Sequence, residues 1–594
     1  MRRHFRLNIL VVLPVIICCS IAVFTGCRKN TNENTLLSPP DLTTKVSSSV
    51  SGFVTDENDL PVKNASVQFG TATISTDKYG YFEAKNIEVV KDAATVTVTK
   101  TGYFKNVKTH IAVTGKSAFF RIKLIPKKIA GIINGNTGGT VALTNGLSIT
   151  LSARSTITVS TGNFYTGMIT VSAAWIDPTS KDLSNIMPGD LRGVNTEGYT
   201  QLLTSYGMAA VELTGSNGEL LQISTGKKAT LSLPVPTALS STAPASIPLW
   251  YLEEATGLWK QDGSATKTGS NYIGDVSHFS FWNYDVPSNF VQFNCTVISS
   301  TGQPIQNTRV KISSVANPFN ATAGYTNALG YVSGLVPDNS QLLLEVFGSL
   351  CSGPSYSQTF TTTNTPVSLG SVTINNSSTA IISGTVTNCN NSPVTNGYVI
   401  VLEPNQCTKY DINSAGAFNF SKVLCGNAAA VILVGEDAST LQQSNSLNIT
   451  LAAGVNNVGD IKACGISAAE FFYYNEDGIS HLLTMPQDSI SLGGTIGTPE
   501  GWIWAYERVI SNTHIMLNFD NHNPTLNSYQ YISNYYSGTI VNARPLSPGT
   551  TTLHITEFGP VGQFIAGNFS GVFFETANPN IQHTISASFR TRRK

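Results

Sequence analysis

The sequence predicts an all-β chain of several small domains, and three observations carry this expectation. Short apolar runs of period two recur between turn residues, beginning with Val50, Gly52 and Val54, the pattern of half-buried strands. Glycine is abundant at 50 residues, Ser, Thr and Asn are frequent, and charged residues make up only 12% of the chain. Apolar content is 41% over 594 residues, enough for several cores at a domain size of ~150 residues and unlike a charged disordered chain. The 36 basic and 36 acidic side chains cancel, which argues against nucleic acid as a partner, because phosphate binding needs a basic excess.

The N-terminus sets the compartment. Arg2, Arg3 and Arg6 precede an apolar run over residues 7–24, the layout of an export signal, with a retained anchor helix as the alternative. The run ends in Phe24-Thr25-Gly26-Cys27, which resembles the bacterial lipobox: a bulky apolar residue, two small residues and a cysteine. Cys18 and Cys19 lack the small residues before them. The resemblance implies a lipoprotein signal peptide over 1–26, cleavage before Cys27 and acylation of Cys27, with the membrane as partner through the lipid anchor. Removal of the three arginines leaves 33 basic and 36 acidic residues. Two or three acyl chains suffice for stable anchoring. Residues 27–47 are polar, contain Pro39 and Pro40, and read as a tether. These features place the chain at the outer membrane of a Gram-negative, Bacteroidetes-type bacterium, its surface or periplasmic exposure left open; an acidic cluster after Cys27 is absent apart from Glu33.

Next come repeats. Val50, Gly52 and Val54 lead through the polar turn Asp56-Glu57-Asn58-Asp59 into Leu60, Pro61, Val62, Ala65 and Val67, followed by Thr76, Asp77, Gly80, Tyr81 and Phe82. The pattern returns at Cys295, Val297, Gly302, Pro304, Ile305 and Val310, then Thr326, Asn327, Gly330 and Tyr331. It returns again at Gly384, Val386, Asn388, Pro393, Val394 and Val399, then Asn413, Gly416 and Phe418, with Asn388-Cys389-Asn390-Asn391-Ser392 in place of the Asp-bearing turn. These units, over 48–125, 290–375 and 379–464, resemble the carboxypeptidase regulatory-like domain, which implies transthyretin-like seven-stranded β-sandwiches and no peptidase chemistry. Asp56, Glu57 and Asp59 read as a solvated turn, because a calcium loop needs a longer ligand ladder.

Between the first two repeats, residues 129–287 carry Gly138-Gly139-Thr140-Val141, Pro188-Gly189-Asp190, Pro248-Leu249-Trp250-Tyr251 and His278-Phe279-Ser280-Phe281-Trp282 in order. This stretch resembles the ZU-type β-sandwich, and more closely the related region of cartilage intermediate layer protein, and the resemblance implies a structural or interaction-mediating role. Residues 465–594 alternate in short strands split by Gly and Asn and resemble β-rich C-terminal domains of Bacteroidetes-type lipoproteins. The chain ends Arg590-Thr591-Arg592-Arg593-Lys594, which reads as a solvated basic tail. The fold expectation is therefore all-β, tandem β-sandwich domains behind a lipoprotein signal peptide.

Six cysteines follow the lipobox: Cys295, Cys351, Cys389, Cys407, Cys425 and Cys464. An even number in exported domains reads as disulfides. Cys295 and Cys351 are alone in the second repeat and are the expected pair; the other four allow three pairings within 379–464. A four-cysteine zinc site is disfavoured because no close CxxC knuckle exists, so no metal and no cofactor is expected.

Catalytic signatures are scarce. HExxH, GxSxG and a Walker loop are absent, Ser224/Lys227 and Ser75/Lys78 have SxxK spacing only in β-type turns, and His514 and His522 read as surface histidines. His278-Phe279-Ser280 matches the tripeptide at which some ZU-type domains cut themselves between Phe and Ser. The resemblance implies Ser280 as nucleophile on the Phe279 carbonyl with His278 assisting, and it needs a strained turn. The competing reading is a buried strand. The functional expectation is thus a non-enzymatic cell-envelope binding or structural module for a glycan or an envelope protein, with self-cleavage or periplasmic scaffolding as alternatives. Trp502, Trp504, Tyr506, Tyr531, Tyr535 and Tyr536 are the aromatic candidates for a glycan face, and core packing is the expected role for them.

Overall fold

The computed structural model describes residues 39–592 apart from 349–350, 405, 427, 441, 465, 468–469, 485–488, 495–500, 507–513, 521–524, 526–527, 538–539, 541, 546–550 and 559–563. The expected signal peptide, Cys27 and most of the expected tether lie outside the described residues. The chain forms two compact units, one taking in residues up to 298 with 304–348 and 352–373, the other 299–303, 349–351 and 374–594. Both are built from β-strands; the described residues contain one four-residue α-helix, Leu183–Ile186, two short 3-10 turns, and no helix long and apolar enough to cross a membrane.

The first unit begins with a sandwich. Lys45–Thr55 lies between Tyr81–Val90 and Ser117–Lys123, and the facing sheet runs Ala72–Ser75, Ser66–Phe69, Ala94–Thr99, Asn106–His110. Alternation sends Val50, Val54, Val67, Phe69, Val96 and Val98 inward. Residues 290–374 repeat this arrangement of three strands against four, and in the second unit a three-stranded sheet of Thr379–Thr387, Ala417–Val423 and Gly454–Lys462 does so again beside a six-stranded one.

The repeats share their turn chemistry atom for atom. Asp77 Oδ1 accepts the N–H groups of Tyr79 and Tyr81, Asn327 Oδ1 those of Leu329 and Tyr331, and Asn413 Oδ1 those of Ala415 and Ala417. Three residues on, Gly80, Gly330 and Gly416 have φ of 72°, 70° and 73°, a region that costs glycine nothing. A Cβ at these positions would meet the carbonyl oxygens of Val54, Val297 and Val386 at 2.3, 2.4 and 2.6 Å. Asn388 Oδ1 accepts from Asn390 and Ser392 just as Asp56 Oδ1 accepts from Asn58 and Leu60, so the altered third turn folds the same way.

Between the first two sandwiches, strands from Ile129 to Ser288 form a thirteen-stranded sheet folded over a core that includes Leu147, Ile149, Leu231, Leu249, Trp282 and Tyr284. In the second unit, strands from Phe471 to Arg592 make a ten-stranded sheet, antiparallel in every recorded pair, around Phe472, Ile503, Leu517, Tyr535 and Phe573. The expected basic tail is instead its strand Gln582–Arg592: Arg590 and Thr591 are buried, and the Thr591 hydroxyl donates to Glu470 at 2.9 Å. Residues 593–594 lie outside the described residues.

Candidate functional site

Strand Gly501–Tyr506 lies between Ser489–Gly494 and His514–Phe519, with Tyr529–Ser537 beyond. Its sequence, GWIWAY, puts Ile503 and Ala505 into the core, so the two-residue period turns Trp502, Trp504 and Tyr506 to the opposite face, where all three are half-buried. The register carries this face across the sheet. Trp504 stands opposite Met516, which stands opposite Tyr536; Trp502 stands opposite Asn518, which stands opposite Asn534.

Glycine shapes the surface further. Gly493 is the cross-strand partner of Trp502, and a Cβ there would lie 2.2 Å from Trp502 Cζ2. The indole therefore lies across the bare glycine backbone, flat on the sheet, a position any larger residue would deny it. The Trp504 and Tyr506 rings follow with centroids 5.0 Å apart and planes 35° apart. The outcome is a strip of three aromatic rings along one strand, with Tyr536 two strands away beyond Met516. Tyr531 is exposed at 53%, and only Tyr535 enters the core, its hydroxyl donating to Glu476 at 2.6 Å. The expected core role thus holds for Tyr535, while the other five aromatic candidates face outward or lie part-exposed. Such a strip can offer the negative faces of aromatic rings to the weakly positive C–H bonds of a sugar ring.

The turn at His278-Phe279-Ser280 is organised differently from what cleavage needs. The Gln222 side chain grips Phe279 on both sides, accepting its N–H at 2.6 Å and donating to its carbonyl at 2.9 Å. The Ser280 hydroxyl donates to the Phe281 carbonyl at 3.2 Å, and His278 Nδ1 lies 3.3 Å from the Ser277 hydroxyl. His278 packs edge-on against Tyr251, and burial lowers its pKa against the pull of Asp262 and Glu254. No residue of this tripeptide is at positive φ, and Phe279, Phe281 and Trp282 are buried. Nucleophile and base lie two residues apart in sequence and are not joined by a hydrogen bond.

The cysteines correct two expectations, the Cys295–Cys351 pair and the pairing of the other four among themselves within 379–464. Cys351 bonds to Cys425 and Cys389 to Cys464, while Cys295 and Cys407 are buried and form no disulfide. The expected Cys295–Cys351 pair fails because Cys295 sits mid-strand on the inward face, between Phe293 and Val297, at 1% exposure. Cys351 follows the end of strand Gln341–Phe347 and is taken by Cys425. Burial pushes the Cys295 thiol up to about 12, which leaves it a small hydrophobe. No cluster of three or more metal-ligating side chains occurs among the described residues. His522 and the side chain of His514 lie outside them.

Comparison with known proteins gives partial matches. No family model matches the chain. It is 34% identical over 109 residues to cartilage intermediate layer protein 1 of Sus scrofa, covering 17% of this chain and 17% of that protein. It is 24% identical over 163 residues to cartilage intermediate layer protein 2 of Mus musculus, covering 26% of this chain and 14% of that one. The match therefore spans less than a fifth of either relative. Among solved structures, the shaft pilin spaA of Lactobacillus rhamnosus GG is 12% identical over 30% of this chain and all of its own, with a TM-score of 0.17. A putative carbohydrate binding protein from Bacteroides uniformis is 11% identical over 36% of this chain and 98% of its own, with a TM-score of 0.11. Superpositions this loose carry no argument.

Proposed function

We propose that this protein is a non-enzymatic, lipid-anchored module of a bacterial cell envelope that binds glycan through the strip of Trp502, Trp504, Tyr506 and Tyr536. The observation that carries the reading is the row of half-buried rings on the face of strand Gly501–Tyr506 away from the core, with Trp502 laid over Gly493. Rings left part-exposed on the face of a rigid sheet away from the core are available to a ligand. The lipobox at Cys27 supports anchoring at the outer membrane of a Bacteroidetes-type bacterium, with the preceding sandwiches as a spacer.

The test is a glycan array probed with the purified chain lacking residues 1–26, followed by calorimetric titration of the best ligand. The double variant W502A/W504A is expected to weaken binding at least about tenfold, since each stacked ring contributes ~1 kcal/mol, with little change in Tm. Undiminished binding by that variant would refute the role of the strip.

A further inference from the structure

A second site lies wholly within the first compact unit, where the first sandwich, the 178–191 segment of the middle domain and the second repeat enclose a cleft of about 670 Å³. That volume is typical of small-ligand pockets. Five cationic side chains line it, Lys116, Arg121, Lys181, Arg309 and Lys311, together with Lys108, whose pKa burial lowers to about 7, against two acidic ones, Asp190 and Glu345. The acids are already committed. Asp190 pairs with Arg192 at 2.7 Å, and Glu345 with Lys311 at 3.1 Å. Lys108 donates to the carbonyls of Ser184 and Met187. Among the described residues no ion pair joins Lys116, Lys181 or Arg309 to a carboxylate.

Two arginines from different sandwiches come together around strand Ala321–Tyr325. Tyr325 is the cross-strand partner of Arg309, and the Arg121 guanidinium lies 5.7 Å from the Tyr325 ring centroid and 5.1 Å from that of Phe53. Across the same sheet Arg309 lies 5.4 Å from the Phe347 ring and donates to the Lys181 carbonyl at 3.0 Å. Stacking on rings uses the faces of a guanidinium and fixes its plane, while its donors lie on the edges, matched to a carboxylate or sulfate. The remaining wall is rich in hydroxyl and amide groups, including Thr179, Gln292, Asn294, Thr322 and Ser333. Fixed cations, stacking rings and neutral hydrogen-bonding groups in one small cleft are the complement of a charged sugar.

We propose that this cleft binds an acidic oligosaccharide, whose carboxylate or sulfate is held at Arg121 and Arg309 with Lys116 and Lys181 at the rim. The site is independent of the aromatic strip, which lies in the other compact unit.

The experiment titrates the full chain lacking residues 1–26, in its W502A/W504A form so that the strip takes no sugar, with a trimeric uronic-acid oligosaccharide, a sulfated oligosaccharide of equal length and the neutral parent sugar, at two salt concentrations. Binding of one or both acidic sugars, weakened by salt and absent for the neutral parent, is expected. R309Q is expected to weaken it about tenfold or more. The double variant K116A/K181A changes only exposed residues and should lower both affinity and salt dependence even if R309Q fails to fold. Because the W502A/W504A form removes only the strip, failure of the strip and failure of the cleft are read separately. Equal binding of the neutral sugar, tighter binding of adenosine monophosphate or a tetraglutamate peptide, no binding of either acidic sugar, or wild-type affinity in the lysine variant would each overturn the proposal.

Discussion

At the scale of single residues, a missing side chain does as much as a present one. Gly493 lets the Trp502 indole lie down, so Gly493→Ala should lift the ring: the added methyl would sit 2.2 Å from Trp502 Cζ2. Glycan affinity is expected to fall several-fold, with a shift in tryptophan emission and a Tm that holds, because alanine suits a strand at least as well as glycine. Asp285 gives a second prediction, on pH. It is fully buried, burial raises its pKa well above the ordinary range, and the hydroxyl of Ser205, which opposes the shift, donates to Asn283 Oδ1 at 2.6 Å. An unfolded Asp ionises near ~3.9, so above that pH the unfolded chain has released a proton that the folded chain retains. The contribution is complete below the unfolded pKa and is lost as pH rises through the folded one. Asp285→Asn should therefore raise Tm more at pH 8 than at pH 4, measured by thermal denaturation.

Elements are held by contacts that link distant parts of the sequence. Lys422 Nζ, on strand Ala417–Val423, lies 2.7 Å from Glu403 Oε2 on strand Gly397–Glu403, and both side chains are almost completely buried. Glu403→Gln strands the lysine charge and should cost about 3–5 kcal/mol in denaturant unfolding. Cys389–Cys464 closes the third repeat across 75 residues, and Cys389→Ala with Cys464→Ala should cost about 4 kcal/mol for a loop of that length. Peptide mapping under non-reducing conditions is expected to return two bridges and, at Cys295 and Cys407, two thiols. How far the sequence reaches is clear at this scale. The Asx turns at Asp77, Asn327 and Asn413 are legible because a side-chain acceptor, a glycine three residues on and an alternating strand are local signals. The pairing of Cys351 with Cys425 is not legible, because it depends on which strand ends meet in space. The outward turn of GWIWAY was equally hidden: period two says that Trp502 and Trp504 share a face with Tyr506, but only the neighbours decide which face is covered.

The whole molecule has separate cores in each compact unit, so calorimetry should show more than one transition. Both disulfides fall in the second unit, so a reducing agent should lower one transition and spare the other. Denaturing mass spectrometry should find one intact chain after export, unchanged by Ser280→Ala, given the Gln222 grip on Phe279. Protease treatment of intact and lysed cells, followed with an antibody to residues 465–594, tests where the strip faces. Loss of signal from intact cells is the outcome expected for glycan capture at the surface.

The sequence by itself determined the all-β class, the repeat units and their turns, and the scarcity of catalytic motifs, because periodicity, turn residues and composition act over a few residues. The tertiary structure decided which cysteines bond, that the C-terminal basic run is a strand, which aromatics look outward, and that cations from three parts of the first unit share a cleft. Each of those depends on juxtaposition across tens to hundreds of residues, where packing chooses among partners that the local pattern treats as equal.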